Sequence, residues 1–379
     1  MGIYLDNAAT TPLDPEVFEA MKPFMLEDFG NPSSTHTHGR KVRSAIESAR
    51  KKIAALLNCT PGEIIFTSGG TEADNAILRS AVETFQLKHA ISTPIEHHAV
   101  THTLAMLDKQ GLIQIHPVQL SADGDVDLTH LEELLKTHPK ALVSLMQANN
   151  EIGNLLDIET VGVLCERYQA YFHSDTVQAI GHYRHDMKKL KVHGMAAAAH
   201  KFHGPKGVGF MYINKDKRIH SFMQGGPQER NLRGGTENVY GIIGMAKALE
   251  ICHLHLDEDK AYIESLKSHM IEKLKAVLPG VTFHGNSGNL EKSLYTVLNV
   301  SLPESEENDM LLFNLDLLGI STSGGSACAS GASTGSHVLG ALYPESKRGA
   351  VRFSFSKFNK KEEIDFVVEK LAEIYKVPA

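Results

Sequence analysis

The chain has 379 residues, of which 42% are hydrophobic and 22% are charged, a composition typical of a soluble globular protein. The net charge of −7 and the absence of a clustered basic face argue against nucleic-acid binding. No apolar run approaches the roughly 18 residues needed to cross a bilayer, which argues against a membrane protein. The length is too great for one ordinary hydrophobic core, so we expect two domains.

The four cysteines, Cys59, Cys165, Cys252 and Cys328, are widely spaced and form no C-x-x-C pair. This spacing excludes a small disulfide framework and a thiolate zinc site. The first residues, MGIYLDNAATTPLDPEV, lack the basic and then apolar pattern of a signal peptide. We therefore expect a cytoplasmic protein with reduced thiols.

Helical patterns and short buried strands alternate over the first 250 residues or so. Apolar residues recur on one helical face over residues 41–58, and a second helical pattern covers 158–169. The predicted strands are 63–68, 89–92, 141–146, 171–174, 195–199 and 208–213. This alternation predicts a mainly parallel sheet covered by helices on both faces.

The pattern changes after about residue 250. A long polar-rich helix over 257–277 precedes the stretches TVLNVSL, DMLLFNLDLLGIST and AVRFSFSKF, and a final helix covers 361–376. These elements predict a smaller α+β domain. The fold class is therefore α/β, with a large domain over 14–250 and a small domain formed by 1–13 and 251–379.

Ligands of open α/β sheets bind beyond the carboxyl ends of the strands, so polar residues there are candidates for a site. In TSGGTEADN, Gly70 and Thr71 lie at a predicted helix N-terminus, where free amides and the helix dipole attract an anion. The stretch lacks the G-x-x-x-x-G-K pattern of a nucleotide-binding P-loop. A simple capping turn is the alternative that the stretch itself leaves open.

Two pairs of adjacent polar residues follow further strands: His97 and His98 in PIEHHAV, and Asn149 and Asn150 in MQANNEIGN. Adjacent side chains point in different directions, so at most one histidine of the first pair faces a given site. A pair of surface histidines is the alternative interpretation.

Asp175 ends the strand in YFHSDTVQAIG, and Gln178 follows three residues later. Lys201 comes directly after the apolar run MAAAA, where its ammonium group can lose water, as Schiff-base lysines require. Lys206 lies in the turn Gly-Pro-Lys-Gly, where a lysine is usually solvated. An anion cradle, a strand-end carboxylate and a desolvated lysine together suggest pyridoxal phosphate.

Cys328 lies in SGGSACASGASTGS, among residues too small to form a core around it. A structural cysteine normally packs among larger apolar side chains. A flexible linker with an incidental cysteine is one interpretation, and a mobile loop that carries a reactive thiol is the other.

Ten stretches carry a resemblance to a known family: YLDNAATTP, GNPSSTH, TSGGTEADNAI, EHHAV, NNEIGN, SDTVQAIG, AHKFHGPKGVG, RGGTEN, GSACASG and VRFSFSKF. Together they resemble the cysteine desulfurases of the NifS/IscS type, which are class V, fold-type I pyridoxal-phosphate enzymes. The resemblance extends from residue 4 to about residue 357.

The resemblance implies a role for each matching residue. Lys201 would be the Schiff-base lysine, and His97 would stack on the cofactor ring and handle protons. Asp175 would pair with the ring nitrogen. The other implied contacts are Gln178 and Asn150 at the phenolic oxygen, Gly70, Thr71 and His200 at the phosphate, and Thr236 at the phosphate of the other subunit of a homodimer.

The resemblance also implies the substrate and the reaction. Arg352 would bind the carboxylate of L-cysteine, together with Asn150, and Cys328 would take the sulfur as a persulfide while alanine is released. A sulfur-acceptor protein would follow: an iron–sulfur scaffold, a tRNA-thiolation relay or a biosynthetic carrier. Selenocysteine lyase, or another class V transferase, is the alternative activity.

Two positions depart from the family pattern. Ala198 stands where members commonly have a serine that contacts the phosphate, and Ser356-Lys357 replaces the usual Gly-Arg pair.

Among the 21 histidines, the pairs His36/His38 and His253/His255 lack carboxylate or thiolate neighbours at useful spacing. We therefore predict no metal.

Overall fold

The computed structural model describes residues 2–324 and 335–376. The strands of these ranges are β1 (Ile3–Tyr4), β2 (Ile64–Thr67), β3 (His89–Ser92), β4 (Gln114–Pro117), β5 (Leu142–Ser144), β6 (Tyr171–Asp175), β7 (Gly194–Ala198), β8 (Gly209–Ile213), β9 (Thr282–Phe283), β10 (Val297–Leu302), β11 (Ile320–Ser321) and β12 (Gly349–Ser354). The helices are α1 (Pro15–Leu26), α2 (Thr37–Leu56), α3 (Gly70–Phe85), α4 (His98–Lys109), α5 (Leu128–Thr137), α6 (Ile158–Arg167), α7 (Val239–Leu254), α8 (Leu256–Val277), α9 (Leu311–Leu317), α10 (His337–Leu342) and α11 (Lys361–Ile374).

The largest sheet has seven strands in the order β2-β8-β7-β6-β5-β3-β4. Neighbouring strands from β7 to β4 are parallel, whereas β8 is antiparallel to both of its neighbours. The carboxyl ends of β3, β5, β6 and β7 therefore lie along one edge of the sheet. This confirms the predicted α/β fold with a mainly parallel sheet.

Both faces of this sheet are buried, because successive strand residues point to opposite sides. Val143 and Phe172 pack into one hydrophobic core with helices α1, α2, α6 and α7. The preceding residues, Leu142 and Tyr171, pack into a separate core with α3 and α4. The near-continuous apolar character of the strands follows from this double burial.

Strand β4 is the one member of the sheet that the apolar pattern does not predict. Its sequence, QIHP, is half-exposed or exposed throughout, since β4 lies at the edge of the sheet and pairs with β3 alone. An edge strand needs no apolar alternation on two faces, so hydrophobicity is a poor guide to it.

A second unit contains the antiparallel sheet β12-β10-β9, which shares a hydrophobic core with α8 and α11. Its core combines Leu5 with residues from the last third of the chain, including Leu266, Met270, Phe353 and Val367. Strand β1 pairs in parallel with β11 and so joins residues from the two ends of the sequence. The domain boundaries at residues 13/14 and 250/251 stay a prediction.

A buried ion pair fixes the strand that leads to the predicted anion cradle. Nη1 and Nη2 of Arg50 donate to the Glu229 carboxylate, at 2.7 and 2.8 Å, and the amide of Phe66 in β2 donates to the same carboxylate at 2.8 Å. Arg50 and Glu229 are 3% and 5% exposed, so neither charge is solvated.

Within the described ranges, no helix combines the length and apolar character needed to span a membrane.

The substitution Glu229→Ala should lower the free energy of unfolding by about 3–5 kcal/mol, because it leaves the Arg50 charge buried without its main partner. Glu47→Ala removes the other, more exposed carboxylate that Arg50 contacts and should cost under about 1 kcal/mol. Urea unfolding of the two variants measures the difference. Equal losses in the free energy of unfolding would show that the buried pair contributes no more to stability than the exposed one.

Candidate active site

A cavity of about 210 Å³ lies at the carboxyl edge of the large sheet. The chain brings nine of the predicted site residues together around it: Gly70, Thr71, His97, Asn150, Asp175, Gln178, His200, Lys201 and Arg352. They come from six separate stretches of sequence, which the fold brings side by side.

The anion cradle is the amino end of α3, which begins at Gly70. A Cβ atom at position 70 would lie 2.6 Å from Cγ2 of Val177, so only glycine allows this close packing. The first amides of a helix have no carbonyl partner within it, which leaves them available to a ligand. His200 borders the cradle with Nδ1 3.2 Å from Oγ1 of Thr10, and burial lowers the pKa of His200 to about 4, so its ring is neutral.

Asp175 is the last residue of β6 and is 5% exposed. Burial raises the pKa of Asp175, while His97, a hydrogen bond from the amide of Val177 and Lys201 act in the opposite direction. These three contacts favour the ionised carboxylate but do not outweigh burial, so the pKa of Asp175 stays above its ordinary value. A cationic ring nitrogen would add to them.

The two adjacent histidines separate as the sequence requires. His97 lines the cavity, whereas His98 stacks on His102 and lies 4.2 Å, ring centre to ring centre, from His337. Nδ1 of His97 accepts a hydrogen bond from the amide of Ala99, so the neutral ring carries its proton on Nε2. Burial lowers the pKa of His97, and the neutral form is therefore favoured.

Lys201 lies in the 3₁₀ turn that follows β7. Its Nζ donates to the carbonyl oxygens of Ala8 and Ala9, at 2.6 and 2.8 Å. Gln178 donates to the same oxygen of Ala8, at 3.0 Å. The other candidate lysine, Lys206, is exposed and does not line the cavity.

Arg352 lies in β12 and is 1% exposed, yet it lines the same cavity. Nη1 donates to the carbonyl oxygen of Asn150 at 2.9 Å, and Nη2 donates to Asp6 at 2.7 Å. Among the described residues, Nε of Arg352 and Oδ1 of Asn150 are buried without a hydrogen-bond partner. Asn149 instead caps its own turn, since its Oδ1 accepts from the amides of Glu151 and Ile152.

These groups fit pyridoxal phosphate bound beside an amino acid. The cradle suits a phosphate, Asp175 suits a cationic ring nitrogen, and Lys201 supplies an amine for the aldehyde. The unpartnered donor on Arg352 and acceptor on Asn150 face a site where a substrate's carboxylate and polar groups can use them.

The sequence pattern does not single out three carboxyl groups at or near the site: the half-buried Asp6 and the buried Asp74 and Glu96. Asp74 lines the cavity, and one of its oxygens lies 3.2 Å from Nε2 of His173. Burial, with the carboxyls of Asp175 and Glu96 nearby, raises the pKa of Asp74 well above its usual range. Asp74 lies four residues after Gly70 on the same helix, a spacing that could have identified it.

Thr236 is exposed and lies away from the cavity, in a neighbouring pocket with Thr67 and Ser68.

Cys328 lies outside the described residues, but both flanks of its segment reach the site. The amide of Arg352 donates to the carbonyl oxygen of Ser323 at 2.6 Å. On the other flank, Nε2 of His337 lies 2.9 Å from the carbonyl oxygen of Glu96, the residue before His97.

Comparison with known proteins identifies the family of this chain. The model of the family described as aminotransferase class V matches residues 3–367. A cysteine desulfurase IscS from Dictyoglomus turgidum is 41% identical over 98% of this chain and 94% of its own length. The chain belongs to the class V aminotransferase family, among the NifS/IscS-type cysteine desulfurases.

Solved structures of the family share the whole fold. A NifS-like protein superposes with a TM-score of 0.91 at 38% identity, covering 99% of this chain and all of that one. The protein SspA, solved in complex with cysteine, superposes with a TM-score of 0.82 at 27% identity, covering 94% of this chain and all of that one. The predicted family and fold type are confirmed, and the named relatives favour a desulfurase over a selenocysteine lyase.

The two positions that depart from the family's sequence pattern both have a defined structural setting. Ala198 lines the cavity near the cradle, where it offers a methyl group and no hydroxyl donor. Lys357 forms an ion pair with Asp14 at 2.9 Å, so it joins the end of β12 to the start of α1. The first departure bears on the phosphate contacts and the second on the packing of the two units.

Replacement of Glu96 by glutamine should flatten the pH dependence of stability in this class V enzyme. Burial raises the pKa of Glu96 to about 8, so the folded chain keeps this carboxyl protonated at pH values where the unfolded chain ionises it. The free energy of unfolding therefore falls as the pH rises from about 4.5 to about 8. A glutamine keeps the oxygen that accepts from the amide of Met146 at 3.0 Å but does not titrate.

Urea unfolding between pH 5 and pH 8 measures this effect. The wild type should lose at least about 1.4 kcal/mol more than Glu96→Gln over this range, the equivalent of one pKa unit. Glu133→Gln, which alters an exposed carboxylate, should follow the wild-type curve. Parallel curves for the wild type and Glu96→Gln would show that Glu96 is ionised in the folded chain.

Proposed function

We propose that the protein is a pyridoxal-phosphate-dependent enzyme that converts L-cysteine to L-alanine and transfers the sulfur to Cys328. The observation that carries this proposal is that one cavity contains the amine of Lys201, the carboxylate of Asp175 and the buried guanidinium of Arg352. An amine that can hold an aldehyde and a cation that can hold a carboxylate, in one small cavity, suit an amino acid substrate.

When bound, pyridoxal phosphate withdraws electrons from the α-carbon of an attached amino acid and so weakens the bonds around that carbon. Lys201 would hold its aldehyde, Asp175 its ring nitrogen, and Gln178 and Asn150 its phenolic oxygen. Gly70, Thr71 and His200 would hold the phosphate. His97 would cover the ring in its neutral form, with Nε2 carrying the proton that it can deliver.

Arg352 would bind the substrate carboxylate through its planar fork of donors, to which Nε contributes. The contact between Nη2 and Asp6 holds the guanidinium in place and limits its rotation. Arg352 would therefore orient the α-carbon of the substrate toward Lys201, whose Nζ takes the α-proton once it is a free amine.

The thiolate of Cys328 would attack the sulfur of the substrate. A bond forms between the two sulfur atoms, and the bond from the substrate's β-carbon to its sulfur breaks, leaving its electron pair on the carbon fragment. That fragment gains a proton at its β-carbon, regains the α-proton from Lys201 and leaves as alanine, while Cys328 keeps the second sulfur as a persulfide. Ser323 and His337 hold the two flanks of this segment on either side of the site, which supports the assignment.

A homodimer and a sulfur acceptor complete the proposal. Thr236 is exposed and does not line the cavity of its own chain. This position suits a residue that contacts the phosphate in a partner subunit. An acceptor protein, such as an iron–sulfur scaffold, would take the sulfur from Cys328. We place the reaction in the cytoplasm, since Cys59, Cys165 and Cys252 are free thiols and suit a reducing compartment.

The substitution Cys328→Ala tests the proposed sulfur transfer. The variant should bind pyridoxal phosphate like the wild type but lose the release of sulfide and the added sulfur on the protein. Incubation with L-cysteine, followed by mass spectrometry of the protein and assay of alanine, measures both. Cys59→Ala is the matched control, because burial raises the pKa of Cys59 to about 12 and leaves it a protonated thiol.

The proposal is overturned if Cys328→Ala releases sulfide at the wild-type rate. Comparison of L-cysteine with L-selenocysteine on the wild type separates the desulfurase from the lyase. Strong preference for selenocysteine would favour the alternative.

The substitution Lys201→Ala tests the covalent attachment of the cofactor. It should abolish the visible absorbance band of the bound cofactor, since no other lysine lines the cavity within the described residues. Lys206→Ala, five residues along the chain and exposed, should keep the full band. Loss of the band in Lys206→Ala but not in Lys201→Ala would reverse the assignment.

A further inference from the structure

Three histidines meet at the edge of the large sheet, away from the proposed active site. His89 is the first residue of β3, His116 lies in the neighbouring edge strand β4, and His138 follows the last residue of α5. All three side chains are half-buried, so the cluster is reachable from solvent. We call these three residues the histidine triplet.

The rings of the histidine triplet are in mutual contact. Nδ1 of His89 lies 3.0 Å from Nε2 of His116. The ring centres of His116 and His138 are 3.9 Å apart, and those of His89 and His138 are 4.4 Å apart. One nitrogen of each ring lies within 4.8 Å of the corresponding nitrogens of the other two.

This arrangement is close to what a tetrahedral metal ion requires. Zinc–nitrogen bonds of 2.0–2.1 Å at tetrahedral angles place the ligand nitrogens about 3.3 Å apart. The separation between His89 and His116 is already near this value, and the third ring needs a shift of at most about 1.5 Å.

We propose that His89, His116 and His138 form a binding site for one divalent transition metal ion of the zinc class. Imidazole nitrogen is a preferred ligand of zinc, copper and nickel, whereas magnesium and calcium prefer oxygen. Three neutral imidazoles and one water complete a four-coordinate zinc site with an exchangeable fourth position. In residues 2–324 and 335–376, no other group of three or more histidine, cysteine or acidic residues brings its ligand atoms this close together.

The site is separate from the proposed cofactor cavity. His89 begins β3, whereas His97 follows the opposite, carboxyl end of this strand. None of the three histidines lines the cavity. The proposal therefore does not depend on the desulfurase activity, and the metal can be measured directly.

A metal ion here would tie three elements together. The edge strand β4 pairs only with β3, and His138 belongs to the end of α5, which packs against α6. An ion bound by all three histidines would link β4 to α5 in the folded chain. Because the unfolded chain lacks this arrangement, binding should stabilise the fold.

Zinc titration of the cofactor-loaded protein, in a Cys328→Ala background that removes the thiol proposed as reactive, tests the site. After chelator treatment and dialysis, this protein should bind one zinc ion through the triplet. His116→Ala and His138→Gln should each weaken binding by at least about tenfold, the lower limit for loss of even an outer partner of a metal site. His102→Ala, which changes an exposed histidine stacked on His98 and outside the triplet, is the matched control and should bind like the parent.

Two further measurements separate this site from scattered binding by surface histidines. Cobalt(II) in the parent protein should give the visible bands of a tetrahedral ion, and His116→Ala should lose them. Zinc should raise the thermal unfolding temperature of the parent but not of His138→Gln, while circular dichroism of both variants shows that they fold. Unchanged zinc affinity in His116→Ala and His138→Gln, or a loss confined to His102→Ala, overturns the proposal.

Discussion

The position of one buried guanidinium governs the arrangement of the site. Arg352 lies in a strand of the smaller unit, yet its side chain donates to Asp6 near the start of the chain and to the backbone of Asn150 in the larger unit. Its own amide pairs with Ser323, at the edge of the segment that carries Cys328. A single side chain with a permanent charge thus links the two units, and in the proposed function it would also orient the substrate's carboxylate.

Burial also sorts the ionisable groups around the cavity. Asp74, Glu96 and Asp175 share a region without solvent, where three negative charges would repel strongly. The carboxyl of Asp175 contributes to the raised pKa values of Asp74 and Glu96. Burial raises the pKa of Asp175 itself, and nearby His97 and Lys201 reduce this rise. Asp175 is the carboxyl of this group whose ionised form is favoured by His97 and Lys201.

The sequence predicted those parts of the molecule that depend on local pattern. Apolar runs located six of the seven strands of the large sheet, and the polar residues directly after them supplied most of the cavity. It missed β4, whose edge position removes the apolar signal, and therefore also the histidine triplet, whose members are 27 and 22 residues apart. Asp6 and Glu96 acquire their roles only from tertiary contacts, which no spacing along the chain reveals.

The pairing of β1 with β11 has a consequence for the order of events during synthesis. Ile3 pairs with Ile320, so β1 waits for more than three hundred residues to be made before its partner exists. At about 5–20 residues per second this delay lasts tens of seconds, long enough for the core between Val17 and Cys252 to form first. Leu5, Asp6 and Arg352 meet only afterwards, so the nascent chain would gain its fold well before its capacity to hold a substrate.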